Sequence, residues 1–329
     1  MRASSSGRRI VAADNRKQII RDAINRMSTR RKIIDRAVTC MTIVCLALAL
    51  VPLGSILFEI FKNGASAISF DFLTRPQGSI VRGDGGVGPA IQGTLIVVGL
   101  ASMIAVPIGI LAGIYLSEYA DTGKFPYIVR FFNNVMTGLP SIVVGIVGYI
   151  TLVLTLGSFS VMAGAVALSI IMIPIVLGVT EQTLKLVPNS VREAGHSLGI
   201  PKWKVTIFVT LKSARNGVLT GIVLGISRIA GETAPLIMTI LGTSLFFQGF
   251  LGPVDALPLR IWRLSQQPYS ASHEFAWGGA LVLILMILSL SVALRYLVLE
   301  KKFRSSRASV FTRIYPGAFW EARRKQKKV

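Results

Sequence analysis

Two residues of opposite charge lie in the middle of an apolar run, where charge is costly. Arg228 and Glu232 fall within residues 217–245, a stretch long and apolar enough to cross a membrane. A charge at bilayer depth costs about 3 kcal/mol even on lenient insertion scales, so both side chains must face protein, water or each other. Their i, i+4 spacing places them on one helical face, which also carries three glycines: Gly217, Gly221 and Gly225. This charged, close-packing stripe indicates a protein that moves a solute.

Long apolar runs recur along the whole chain and indicate its fold class. The 329 residues are 52% hydrophobic, and the mean hydropathy is +0.62. Both values are typical of an all-α, polytopic membrane protein. Each run is close to the ~20 residues that cross the hydrocarbon core as a helix. We predict six transmembrane helices, at residues 38–61, 91–116, 135–156, 159–179, 217–245 and 275–299.

The distribution of Lys and Arg predicts the orientation of these helices. The net charge of +21 comes mostly from the two tails, and the loop 181–216 is also basic. The positive-inside rule places all three segments in the cytoplasm, so both termini are cytoplasmic. We therefore divide the chain into a basic tail (1–37), a transmembrane domain (38–300) and a second basic tail (301–329).

The basic tails are expected to meet membrane lipid rather than nucleic acid, because both flank membrane spans. Within the first tail, residues 15–27 combine an apolar face with surrounding basic side chains. This pattern favours an interfacial helix on the inner leaflet, with a partly disordered tail as the alternative.

The loop 181–216 contains two predicted short helices. Ser190, with Glu193 three residues later, forms a capping box that starts the first helix. Gly199 is expected to take the left-handed conformation that ends this helix, and a proline follows. The second helix begins near Lys202. Two short helices at an angle would form a docking surface for another protein, and an ordinary interfacial helix pair is the alternative.

The chain lacks the residue patterns of an ATPase or a metal site. No G-x-x-x-x-G-K-[ST] occurs, so we expect ATP to be bound elsewhere. His196 has no Cys or His neighbour at ligand spacing, so we expect no metal and no other cofactor on this chain. No nucleophile–base arrangement stands out, and the protein is not expected to be an enzyme.

The loop 181–216 also carries a family resemblance. Residues 193–199 read Glu-Ala-Gly-His-Ser-Leu-Gly, and Val209 and Leu211 follow. This pattern resembles the EAA loop of importer-type ABC permeases, except that Gly195 replaces the second alanine of the motif and a lysine replaces its proline. The resemblance implies that the loop docks into a cleft of an ATP-binding subunit. Four residues are expected to carry the docking: Glu193, Ala194, Gly195 and Gly199.

Two further stretches narrow the resemblance. Residues 228–236 read Arg-Ile-Ala-Gly-Glu-Thr-Ala-Pro-Leu, and residues 138–145 read Gly-Leu-Pro-Ser-Ile-Val-Val-Gly. They are similar to the fifth-span and third-span motifs of the A-type permease subunit of phosphate-specific ABC transporters, and the similarity extends over residues 31–303. It implies the type I importer permease architecture, a prokaryotic cell-membrane location, and inorganic phosphate as the substrate.

The resemblance gives the charged stripe a role. A guanidinium stays charged and offers forked hydrogen bonds to a tetrahedral oxyanion, so Arg228 is expected to contact phosphate on the path. Glu232 is expected to pair with Arg228 when no phosphate is there, and Thr233 and Ser141 to add hydroxyl groups. Pro235 is expected to bend the helix. A purely structural salt bridge is the alternative for the charged pair, and a bond to its own helix carbonyl is the alternative for Ser141.

The resemblance also implies an assembly. A homologous second permease subunit would enclose the path, two ATP-binding cassette subunits would hydrolyse ATP in the cytoplasm, and an extracytoplasmic phosphate-binding protein would deliver the substrate. Because Arg228 does not by itself separate tetrahedral oxyanions, a permease for molybdate, sulfate or another solute is one alternative. A stand-alone secondary transporter or channel, which needs no ATP-binding partner, is another.

Overall fold

The computed structural model describes the backbone of residues 4–78, 85–120 and 123–305 and the side chains of residues 31–78, 85–120 and 123–296. No β-strand occurs in these residues, and the all-α prediction is confirmed. In chain order the helices are α1 (Ser4–Gly64), α2 (Phe70–Thr74), α3 (Gly88–Tyr119), α4 (Lys124–Gly138), α5 (Ser141–Leu156), α6 (Val161–Lys185), α7 (Asn189–Ser197), α8 (Lys202–Ala230), α9 (Ala234–Thr239), α10 (Leu257–Ser265) and α11 (Ser270–Ser305).

Several of these helices are long and apolar enough to cross a membrane. Five such spans lie in the described part of the chain: Arg31–Ala67, Gly88–Tyr119, Val161–Lys185, Lys202–Ala230 and Ser270–Tyr296. Helices α4 and α5 pass the same test only together, and they are bent by 103° with respect to each other. The number of spans reaches six if this bent pair forms one broken span. The polytopic class is therefore confirmed, and the orientation of the termini stays a prediction.

Helix α1 belongs to a unit of its own, residues 1–61. Its described side chains, from Arg31 onwards, are almost all exposed, and they include long apolar ones such as Leu48 and Val51. An exposed apolar helix of this length is what a lipid-facing span requires. The side chains of residues 15–27 lie outside the described residues, so the interfacial helix stays a prediction, as do the proposed domain boundaries.

The core of residues 62–329 is built on α6, against which α3 and α8 pack closely. A Cβ added at Gly109 of α3 would lie 2.8 Å from Val176 Cβ, and one at Gly113 would lie 2.7 Å from Thr180 Cβ. On α8, Gly221 faces Val179 and Gly225 faces Met172 in the same way. The glycines therefore let three helix backbones approach each other, as small residues do in membrane proteins.

The predicted single span 217–245 is wrong in its boundaries. Helix α8 ends at Ala230, and the chain resumes a helix only at Ala234, where α9 starts with Pro235 in its first turn. Proline removes a hydrogen-bond donor, and its ring would clash with the carbonyl four residues earlier, so the predicted bend is instead a break. The membrane-crossing helix is displaced toward the loop 181–216 and begins at Lys202.

The predicted span 135–156 is likewise broken. Leu139 is extended, with φ −70° and ψ 135°, and Pro140 precedes the first residue of α5. The residue before a proline is pushed out of the helical region, which ends α4 at Gly138. The run is apolar on both sides of the break. Hydropathy alone therefore predicted a single span, although two helices lie here at a sharp angle to each other.

The loop after α6 folds as α7 followed directly by the start of α8. Gly199 has φ +73° and ends α7 in the predicted left-handed conformation. The predicted capping box is wrong, because Pro188 occupies the N-cap position and no side chain caps the helix. Ser190 lies inside α7. The second helix begins at Lys202 as predicted, but it continues without interruption into a membrane span instead of ending as a short element.

Candidate functional site

The two helix breaks bring predicted site residues together. Arg228, in the last turn of α8, and Ser141, at the start of α5, line one small cavity of about 40 Å³. Thr137, at the end of α4, adds a third polar group. The opposite wall is apolar and comes from α6: Ile170, Ile171 and Ile175. Because one water needs roughly 10–15 Å³ in such a measure, the cavity holds only a few water molecules and is too small for a hydrated oxyanion.

The salt bridge between Arg228 and Glu232 is long and has no hydrogen bond. Arg228 Nε lies 3.7 Å from Glu232 Oε1, beyond hydrogen-bond distance. The Arg228 side chain is 56% exposed in the isolated chain, whereas that of Glu232 is 17% exposed. Glu232 lies just after the end of α8, so the two residues do not share a continuous helical face as predicted. The guanidinium is therefore accessible and has most of its donors available.

The two family-like motifs touch each other beside this cavity. An added Cβ at Gly145 of α5 would lie 2.8 Å from Pro235 Cα in α9. Only glycine allows that approach without displacing the backbone of α9. Thr233 precedes α9 at its N-cap position, but its side chain makes no capping hydrogen bond. Neither Thr233 nor Glu232 lines the cavity that holds Arg228 and Ser141.

The predicted docking residues divide into exposed and buried positions. Glu193, Ala194 and Gly199 are exposed on or just after α7, whereas Gly195 is buried. A Cβ at Gly195 would lie 3.0 Å from a methyl group of Val205, so the glycine seats α7 tightly on the start of α8. Gly195 stands where the motif has its second alanine, and the close packing of α7 against α8 explains this difference.

Large apolar side chains surround these exposed positions. Leu198 is 78% exposed and Trp203 is 52% exposed, and Phe208 is exposed as well. Several exposed large apolar side chains within so short a segment favour an interaction surface.

Helix α7 is fixed by a residue that the sequence analysis missed. Arg192 Nη2 donates to Glu118 Oε1 at 2.8 Å and to the Leu184 carbonyl at 2.8 Å. Arg192 Nη1 donates to the Val187 carbonyl at 2.6 Å and to Asn189 Oδ1 at 3.1 Å. Glu118 lies in the last turn of α3, and its side chain is only 5% exposed. This buried network joins α7 to the ends of α3 and α6.

A second buried carboxylate was also missed. Glu181, near the end of α6, accepts a hydrogen bond from Arg130 Nε at 2.8 Å and from Lys185 Nζ at 2.6 Å. Arg130 Nη2 also donates to the Leu116 carbonyl at 2.9 Å. The signal was present in the sequence, since Glu181 follows a long apolar run and an acidic residue there needs a partner. The cluster fixes α4 to the ends of α3 and α6.

Residues 105–304 match the family of binding-protein-dependent transport system inner membrane components. This segment includes both helix breaks, Arg228 and the entire loop 181–216. The matched residues therefore contain both the cavity beside Arg228 and helix α7.

Individual relatives cover most of the chain. The phosphate transport system permease protein PstA of Xylella fastidiosa (strain 9a5c) is 40% identical over 276 residues, which are 83% of this chain and 95% of that protein. PstA of Yersinia pestis is 38% identical over 75% of this chain and 84% of its own length. The probable PstA of Methanocaldococcus jannaschii is 38% identical over 76% of this chain and 88% of its own.

Two solved structures share the fold at low identity. A chain of a bacterial alginate ABC transporter, in complex with an alginate-bound periplasmic protein, superimposes with a TM-score of 0.59 at 14% identity, covering 80% of this chain and 93% of that one. A chain of the inward-facing MetNI methionine ABC transporter gives a TM-score of 0.51 at 16% identity, covering 65% and 93%. The helical arrangement is thus that of ABC importer permeases.

Proposed function

The chain belongs to the family of binding-protein-dependent transport system inner membrane components, and we propose that it conducts inorganic phosphate through the membrane with Arg228 on the path. It is a multi-pass inner membrane protein and the permease subunit of an ABC importer. Phosphate is the substrate because relatives that are 34–40% identical over most of the chain are phosphate permeases. The observation that carries the role of Arg228 is its exposed guanidinium beside Ser141 and Thr137 at two helix breaks.

Helix breaks support a path at this position. Backbone groups freed at a break need partners, so irregular backbone at membrane depth is tolerated where it is buried in protein or lines a cavity. The helices that follow the breaks at Pro140 and Gly231 approach each other closely, since an added Cβ at Gly145 of α5 would lie 2.8 Å from Pro235 Cα of α9. A guanidinium beside them provides charge and forked donors for a tetrahedral oxyanion, and the hydroxyls of Ser141 and Thr137 add neutral donors.

The second permease subunit would complete the site. The cavity of about 40 Å³ is too small for hydrated phosphate, and Arg228 is 56% exposed in this chain alone. A path between two homologous permease subunits would enclose that exposed side chain and widen the cavity when the subunits separate. Glu232 would hold Arg228 between transport events, since their 3.7 Å contact is weak enough to yield to a phosphate oxygen.

Two ATP-binding cassette subunits would supply the energy from the cytoplasm. The exposed face of α7, with Glu193, Ala194 and Gly199, would enter a cleft in such a subunit, and Leu198 and Trp203 would provide apolar contact. ATP would be bound and hydrolysed there, and not by this chain. In this proposal the loop 181–216 and both termini would lie in the cytoplasm, and an extracytoplasmic phosphate-binding protein would deliver the substrate to the opposite end.

The role of Arg228 is tested by phosphate uptake. Arg228→Ala should lower radiolabelled phosphate uptake at least about 100-fold, because a charge-assisted contact to the substrate is lost at low dielectric. Co-purification with the ATP-binding subunit should be unchanged, since Arg228 lies far from α7. Arg75→Ala is the matched control, because Arg75 forms an exposed salt bridge with Asp71 outside the site. Normal uptake by Arg228→Ala would refute the role.

Uptake competition separates phosphate from other oxyanions. Unlabelled phosphate should compete with the labelled substrate more strongly than molybdate or sulfate at equal concentration. If molybdate competes better, the substrate assignment is wrong, although the permease architecture stands.

A variant of the docking helix separates an ATP-driven permease from a stand-alone transporter. Gly199→Val forces a β-branched residue into φ +73°, which costs about 1–3 kcal/mol and should misplace the end of α7. Co-purification with the ATP-binding subunit and phosphate uptake should then fall together. Uptake that persists without the ATP-binding subunit would identify a secondary transporter.

A further inference from the structure

A second pocket lies near α10 and the segment after α9, at the end of the transmembrane helices opposite the loop 181–216. It has a volume of about 450 Å³ and is lined mostly by polar side chains, among them Gln77, Thr243, Ser244, Arg260, Arg263 and Gln267. None of the described Asp or Glu residues lines it. We name this cavity the outer pocket. It is about ten times larger than the cavity beside Arg228, and none of its residues belongs to the site already described.

One of its two arginines is neutralised and held in place. Asp255 is completely buried, and Arg260 is 5% exposed. Arg260 Nε donates to Asp255 Oδ2 at 2.5 Å, and its Nη2 donates to the Thr243 carbonyl at 3.0 Å. A buried carboxylate paired in this way cancels the charge of Arg260 and fixes the backbone of Thr243 at the rim of the pocket.

The other arginine leaves the outer pocket with a net positive charge. Arg263 lies one helical turn after Arg260 on α10, and among the described residues it forms no salt bridge. Its guanidinium rests against Gly242, where an added Cβ would be 2.6 Å from Arg263 Nη1 and 2.9 Å from Asp255 Oδ1. Among the described residues, one acidic and two basic side chains therefore meet here, and their balance is positive.

The backbone around Gly242 is shaped to admit this guanidinium. Gly242 has φ +75°, and Leu241 before it has φ +61°, the single positive value of a non-glycine residue in the described part of the chain. A leucine in this region is strained by about 1–3 kcal/mol and persists only where its surroundings fix it. The strained turn directs Thr243 and Ser244 to the outer pocket while leaving room for Arg263.

We propose that the outer pocket binds one tetrahedral oxyanion before it reaches Arg228. Arg263 would supply the charge and forked donors, and the hydroxyls and amides of Thr243, Ser244, Gln77 and Gln267 would complete the shell. The described lining residues are basic or neutral, with Arg263 unpaired among them, and this favours an anion over a cation. This inference rests on the proposed function, which makes phosphate the transported anion and places this end outside the cytoplasm.

Trp262 lines the same pocket, so its fluorescence can report the binding of an anion there. The full-length protein in its transporter complex is placed in nanodiscs of phosphatidylcholine, and inorganic phosphate is titrated while tryptophan fluorescence is recorded. A saturable change that disappears in Trp262→Phe is expected. Arg263→Gln should raise the half-saturating phosphate concentration about tenfold, as the loss of one charge-assisted hydrogen bond predicts. Arg75→Gln, which removes an exposed arginine outside the pocket, should leave the titration unchanged.

Three outcomes overturn the proposal. The first is a titration by Arg263→Gln that matches the unsubstituted protein. The second is the absence of any Trp262-dependent signal. The third is a signal produced by phosphatidylglycerol but not by inorganic phosphate, which would make a lipid headgroup the occupant.

These failures differ from a failure of the proposed function. If the outer pocket fails the test while uptake still requires Arg228, the phosphate permease stands without this site. If phosphate binds at the pocket but no phosphate is transported, the binding site stands and the proposed function fails.

Discussion

Arg192 and Arg228 lie at different ends of the same helical framework and have opposite surroundings. Arg192 is 18% exposed and donates to the Glu118 carboxylate, Asn189 Oδ1 and two backbone carbonyls. Arg228 is 56% exposed and, within the part of the chain that the structure describes, has a single ionic neighbour, Glu232, at 3.7 Å. Both residues pair with a glutamate, but only one pair is hydrogen-bonded and buried.

The difference separates a structural arginine from one that can bind a ligand. A guanidinium carries five donors, and at Arg192 the protein itself satisfies most of them. At Arg228 the protein satisfies few, so a phosphate oxygen or a neighbouring subunit has donors to use. The number of satisfied donors therefore tells more about the role of each arginine than the presence of an acidic partner.

The largest effect is expected at Arg192. Arg192→Met leaves the buried Glu118 carboxylate without its partner, and such a loss costs about 3–5 kcal/mol. Helix α7 should detach from α3, so co-purification with the ATP-binding subunit and phosphate uptake should both be lost. The double variant Glu118→Leu with Arg192→Met should recover part of the thermal stability, because the unpaired buried charge is gone. Full assembly by the single variant would contradict the structural role.

A smaller effect is expected at the loose pair. Glu232→Gln should change the free energy of unfolding by less than about 1 kcal/mol, because the Arg228–Glu232 contact is long and partly exposed. Uptake should fall about fivefold if Glu232 holds Arg228 ready for the substrate. Thermal unfolding and uptake are measured on the same preparation. A loss of stability as large as that of Arg192→Met would show that both arginine–glutamate pairs are structural. Arg228 would then not differ from Arg192 in its role.

The smallest effect is expected at Ser141. Ser141→Ala removes one neutral hydroxyl beside Arg228, and at the low end such a hydrogen bond contributes about 0.5 kcal/mol, which corresponds to a roughly twofold change in uptake. Ser141→Thr keeps the hydroxyl and serves as the control. Equal uptake by the alanine variant and the unsubstituted protein would mean that the hydroxyl bonds only within its own helix, as the alternative holds.

Local features of the fold were predictable from the sequence. The glycines of α8 indicated close helix packing, and Gly221 and Gly225 do face α6. Gly199, followed by an apolar residue and a proline, predicted the left-handed end of α7. These predictions succeeded because glycine and proline act on the conformation of a few neighbouring residues.

Breaks and distant contacts were not predictable in the same way. Apolar residues continue on both sides of Gly231 and Pro140. Hydropathy therefore predicted one continuous span at each place, where the backbone forms two separate helices. The pairing of Arg192 with Glu118 spans 74 residues of sequence and has no local signal. The cavity shared by Ser141 and Arg228 likewise exists only after α5 and α8 have packed on α6.

Helix α8 contains both Trp203, at the proposed docking surface, and Arg228, and the backbone between them is helical throughout, with a π-helical segment at Val205–Thr210. Its 29 residues extend roughly 40 Å at about 1.5 Å per residue. Such a rod acts as a lever arm. A tilt of about 10° around its middle would shift Arg228 by about 3 Å, comparable to the length of a hydrogen bond. Force applied at Trp203 would therefore reach the guanidinium mechanically, and a small rotation suffices to make or release its contact with an anion.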